Sequence, residues 1–81
     1  MADSRHPSTT HLLRYFEWGH LPERLQGFSA PFAELANEIV EHLPDGPELT
    51  AGLRKLLEAK DCIVRAAVDQ MRDEAGTREE S

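Results

Sequence analysis

Residues 25–43 read LQGFSAPFAELANEIVEHL, and the spacing of their apolar side chains sets the fold class. Leu25, Phe28, Phe32, Leu35, Ile39 and Leu43 follow one another at steps of three or four, which is one face of an amphipathic helix. Pro31 interrupts the run. Proline has no N–H to bond the carbonyl four residues back, here that of Gly27, and its ring presses on that turn. The stripe keeps its phase across Pro31, so the pattern predicts one helix kinked near residues 27–31 rather than two helices. Phe28 and Phe32 belong to this stripe and are expected in the core.

Working outward, Pro22 occupies a natural first helical position, and Glu23 beside it favours the positive end of the helix dipole. Leu43-Pro-Asp-Gly-Pro47 is a short turn that sends the chain back. Leu49, Leu53, Leu56, Leu57, Ile63, Val64, Ala67 and Met71 then draw a second long stripe, expected to run to Ala75. Upstream, Thr9 or Thr10 is the expected cap of a short helix carrying Leu12, Leu13, Phe16 and Trp18, with Gly19 ending it in a left-handed conformation. The expected fold is all-α: a short N-terminal helix followed by a long antiparallel helical hairpin. A single domain over residues 10–75 is expected between polar tails at 1–9 and 76–81.

The chain has 81 residues and one cysteine, so no intrachain disulfide supports a core this small. Two one-sided stripes on one hairpin leave apolar surface uncovered, which predicts a homo-oligomeric bundle. Nine Lys and Arg stand against fifteen Asp and Glu, giving a formal net charge of −6. Residues 25–53 contain no Lys or Arg. A DNA or RNA polymer is therefore not an expected partner, whereas a small anion needs only a few placed cations. No stretch nears the roughly 20 apolar residues that span a bilayer, and no apolar run follows a basic N-terminal region. The expected location is the cytoplasm, without membrane attachment.

Catalytic chemistry finds little support, because no nucleophile is expected beside a rigidly placed base. Cys62 falls on the flank of the last helix and reads as an inert, half-buried thiol. Glu17-x-x-His20 and the pair Glu38 and His42 have metal-ligand spacing, but the additional inward carboxylates of a di-metal bundle are missing. No metal and no cofactor are expected. Arg54 with Glu58, Asp61 with Arg65, and Arg65 with Asp69 are four apart and read as a ladder of surface pairs.

Two features resist that simple account. Lys60 lands at the centre of the second stripe, between Leu56 and Ile63. Its stem either lies on the stripe with the ammonium reaching the edge, or an anion meets it. All five aromatic residues fall between Tyr15 and Phe32, and Tyr15, Phe16 and Trp18 cannot share one side of a short helix. At least one points elsewhere, toward a subunit contact or toward the flat face of a base, with Arg14 and Arg24 near enough for phosphate oxygens.

The runs Phe16 to Pro22, Pro31 to Ala36 and Leu53 to Ala66 resemble a group of small uncharacterised proteins of actinobacterial phages and prophages. More distantly, the order of aromatic residue, leucine, helix, turn and a second helix ending in Asp-x-x-x-Arg-Ala resembles the helical-hairpin sponges with which phages defeat CBASS immunity. The resemblance implies a homo-oligomer that sequesters a cyclic di- or trinucleotide signal between subunits, without cleaving it, in the bacterial host cell. It places Trp18 at the base-stacking tyrosine, Leu21 at the following leucine and Arg65 at the late arginine. The family's phosphate-binding lysine in the first hairpin helix has no counterpart, since residues 30–35 read APFAEL. Lys60 or Arg24 of a neighbouring chain would fill that role. The expected ligand-binding set is Trp18, Tyr15, Arg14, Arg24, Lys60 and Arg65. The alternative is a helical interaction or scaffold protein with no small ligand.

Overall fold

The computed structural model describes residues 5–80, with helices α1 (Pro7–Arg14), α2 (Glu23–His42) and α3 (Pro47–Glu80) and no strand among them. The fold is all-α, as the periodicities predict. Met1 to Ser4 and Ser81, expected in the tails, lie outside the described residues.

α1 begins earlier than expected. Pro7 stands in the first turn with its φ preset, and the His6 imidazole accepts from the Ser8 N–H at 3.1 Å, so His6 rather than Thr9 or Thr10 caps the helix. Thr9 is buried inside the helix, and its hydroxyl donates to Asp45 Oδ1 at 2.8 Å. Arg5 donates from Nε to the same oxygen at 2.9 Å, and the His6 N–H donates to Oδ2 at 2.7 Å. Arg5 also reaches the carbonyls of Val40 at 2.7 Å and Leu43 at 2.9 Å, satisfying acceptors that the end of α2 leaves open. The packed unit therefore starts at Arg5, within the segment expected as a tail.

The other end of α1 differs too. The helix stops at Arg14, and the chain leaves through short-range bonds from the N–H groups of Tyr15, Phe16 and Glu17 to Leu12, Leu13 and Arg14. No glycine among the described residues has positive φ, so Gly19 does not act as a left-handed cap. Trp18 consequently lies beyond α1 rather than within it.

α2 passes through Pro31 as one helix, and α3 starts at Pro47 as expected and continues past Ala75 to Glu80. The four-residue connection after α2 brings α3 back against it. Their shared core holds Leu12 and Phe16 from α1, Ala33, Ala36 and Val40 from α2, and Leu49 and Leu53 from α3. Phe16, only 1% exposed, is the largest fully buried side chain.

The buried face of α2 is not the predicted one. Ser29, Ala33, Ala36 and Val40, spaced four, three and four apart, turn inward. Phe28, Leu35 and Leu43 remain 44%, 45% and 51% exposed. Phe32 and Ile39 pack only partly against the core. The physical reason is that three helices meet at this line, and small side chains let their backbones approach where a row of Phe and Leu would hold them apart.

Candidate functional site

Of the three clustered aromatic residues, Phe16 enters the core while Tyr15 and Trp18 face outward. Their divergence follows from the turn that ends α1, which places successive side chains on different sides. Trp18 borders a shallow cleft of about 430 Å³ together with Leu13, Phe16, Glu17, His20 and Asn37. This cleft has a carboxylate on its wall and neither lysine nor arginine. The Tyr15 ring meets His11 edge-on, with centroids 5.3 Å apart.

The cations lie elsewhere. Arg14 borders a separate cleft beside Pro7, Thr10 and His11. Arg24 is exposed on the first turn of α2. Arg65 donates from Nη2 to Cys62 Sγ at 3.3 Å, and Cys62 is exposed rather than half-buried. Lys60 is engaged inside the chain: its ammonium donates to the Tyr15 carbonyl at 2.9 Å and pairs with Asp61 Oδ1 at 2.9 Å. It is thus neither an ammonium reaching free water nor one left without an acceptor. Its position at the end of α1 also sets a positive charge against the negative end of that helix. Among the six expected ligand-binding residues, the structure joins Tyr15 to Lys60 through the main chain and gathers no cation around Trp18.

The expected ladder along α3 does not close. The close ion pairs among the described residues are Arg5 with Asp45 and Lys60 with Asp61. His42 donates from Nδ1 to the Glu38 carbonyl at 2.8 Å. No group of three or more His, Cys, Asp and Glu side chains among the described residues gathers as a metal set would. No helix of the described residues is long and apolar enough to cross a membrane.

Three features escaped the sequence reading. The first is the clasp of Arg5, His6 and Thr9 on Asp45. The His6 N–H, then Thr9, then Arg5 hold the Asp45 carboxyl below the usual carboxylate range. Asp-Gly in the turn signalled a loop but not a binding point for a segment forty residues away. The second is Ser8, whose Oγ lies 2.8 Å from His6 Nδ1, so a hydroxyl does stand beside an imidazole. The same nitrogen accepts the Ser8 N–H, and Asp45 meets His6 through its backbone rather than its ring. This is the geometry of a helix cap, without the carboxylate that orients a catalytic base.

The third is a bare apolar surface. Between α2 and α3 runs a groove of about 510 Å³ lined by Ile39, Leu43, Leu49, Leu53, Leu56 and Ala59, with Gly52 and Lys55 also on its wall. Phe28 and Leu35 extend the same stripe of α2, and Ile63, 45% exposed, extends that of α3. The signal for it was present in the sequence as two apolar stripes, but which of them a third helix would cover was not.

No protein-family model matches the chain, and comparison with curated proteins and with solved structures found no match.

Proposed function

We propose that the chain is a non-catalytic helical interaction module that works by burying the apolar face formed by α2 and α3. One observation carries this role: large side chains that the helical pattern places on a core stripe stand open to solvent on the side of the helix pair away from the small-residue core. A contiguous apolar surface of this kind marks an interaction site. Replacing Phe28, Leu35 and Ile63 with Glu tests it. The parent chain is expected to self-associate or, while folded, to bind an apolar fluorescent probe. The triple variant is expected to lose both and keep its helical spectrum. A folded parent chain that does neither, or a triple variant that behaves as the parent does, would refute the role.

Sequestration of a cyclic oligonucleotide by a phage-encoded oligomer is the second reading, supported by the outward-facing rings of Trp18 and Tyr15 and by the resemblance. In it each ring stacked on a base contributes about 1–3 kcal/mol. Arg14, Arg24 and Arg65 would reach the phosphates from a second copy, because the Trp18 cleft of one chain holds no cation. Calorimetric titration with a panel of cyclic di- and trinucleotides, repeated with Trp18→Ala, decides it. A hit lost on substitution supports this activity, and silence across the panel removes it.

A further inference from the structure

Gly52 is exposed in the interior of α3, and a side-chain carbon built there meets nothing within 4 Å. Glycine inside a helix costs roughly 1 kcal/mol relative to alanine. Contacts within the chain therefore give no reason for it. Gly52 lies on the wall of the apolar groove, and Ala59, two turns further on, lies there as well. Small residues beside a row of Leu and Ile form a shallow trough, which admits the backbone or large side chains of another helix.

The surface area says how much is to be covered. A folded monomer of 9.1 kDa exposes about 4,900 Å² by the usual scaling. This chain exposes 6046 Å². The excess, about 1,100 Å², matches the roughly 800 Å² that each partner loses in a stable interface of ordinary size.

Charge on the two lips of the groove identifies the occupant. Glu34 and Glu38 are exposed along the outer edge of the α2 stripe, and Lys55 is exposed on the α3 side. Because the connection between the helices is short, Lys55 lies at the height of Glu34 along the pair. A two-fold axis parallel to the helices turns a second copy face to face with the first and preserves that height. It sets α2 of each copy over α3 of the other. Phe28, Leu35 and Ile39 then face Ile63, Ala59 and Gly52, large against small. Each Lys55 meets Glu34 and Glu38 across the boundary.

We propose that the groove is filled by a second copy of this chain, docked about such a two-fold axis, with Gly52 and Ala59 at the closest approach and Lys55 of each copy between Glu34 and Glu38 of the other. This pairing presupposes the apolar-face docking role proposed above and specifies its partner. An interface closed by two-fold symmetry uses the same patch twice, which the matched acidic and basic lips allow.

Sedimentation equilibrium of the parent chain, Gly52→Leu, Lys55→Glu, and Lys55→Glu combined with Glu34→Lys and Glu38→Lys tests the pairing. The parent is expected to be a dimer. Gly52→Leu is expected to dissociate it while the helical spectrum remains. Lys55→Glu, which acts at two symmetric contacts, is expected to weaken it about tenfold, and the charge-swapped triple variant to restore it. A folded monomer that still binds an apolar probe would overturn the pairing and leave the docking role standing. A dimer indifferent to Gly52→Leu and to the charge swap would overturn the pairing as well, because assembly would then use another surface.

Discussion

The ammonium of Lys60 donates to the carbonyl oxygen of Tyr15 at 2.9 Å, tying the middle of α3 to the residue that ends α1. A hydrogen bond from a charged donor with 12% of its side chain exposed is lost in Lys60→Met. The variant is expected to be less stable by about 1–2 kcal/mol. Thermal unfolding followed by circular dichroism would show it, at about 4–8 °C per kcal/mol for a domain of this size. A melt identical to that of the parent would show that the contact contributes nothing.

Ser29 makes a prediction of opposite sign. Its Oγ is buried on the inner face of α2 with no hydrogen-bond partner. Ser29→Ala removes that uncompensated desolvation and is expected to stabilise the fold by roughly 1 kcal/mol. Urea denaturation measures it, and a destabilised variant would mean that the hydroxyl has a partner in solution.

Phe16 is the side chain on which α1 depends. Phe16→Ala is expected to cost about 3–5 kcal/mol. For a chain this small that loss removes most of the cooperative transition. Phe28→Ala, at an exposed position, is expected to leave the melt of the dilute chain nearly unchanged. Equal effects at the two positions would contradict the assignment of the core.

Acid should loosen the Asp45 clasp. The folded carboxyl is held below its ordinary range, first by the His6 N–H and then by Thr9 and Arg5. Its contribution is therefore fully present above the unfolded carboxylate range and is lost as pH falls through the depressed folded value. The stability difference between the parent and Asp45→Asn is expected to be constant near neutrality and to shrink in acid. A difference that does not change with pH would show that the carboxylate charge is immaterial.

Much of the fold was legible in the sequence. Pro22 with Glu23 and Pro47 marked the starts of α2 and α3, and the unbroken phase of the stripe across Pro31 correctly implied one helix. The inward face of α2 was misread because hydrophobic periodicity favours the largest side chains. Ser29, Ala33, Ala36 and Val40 share a helical face of their own, and it wins wherever helices must come close. The start of α1 was missed because a histidine cap is uncommon, and its effect depends on Pro7 and Ser8 together. At the candidate site, an outward-pointing aromatic residue and an unusual setting for Lys60 were foreseeable. The carbonyl that Lys60 meets was not, since it depends on where α1 ends.

The Arg5 to Asp45 clasp also orders events in time. Joining residues 40 positions apart restricts the chain by about 3 kcal/mol of loop entropy, while α2 and α3 meet across four residues. The helix pair therefore condenses first and α1 is fastened on afterwards. Substitutions at Arg5, Thr9 or Asp45 should accelerate unfolding and leave the refolding rate almost untouched, so that the lifetime of the closed molecule is set at its N-terminal latch.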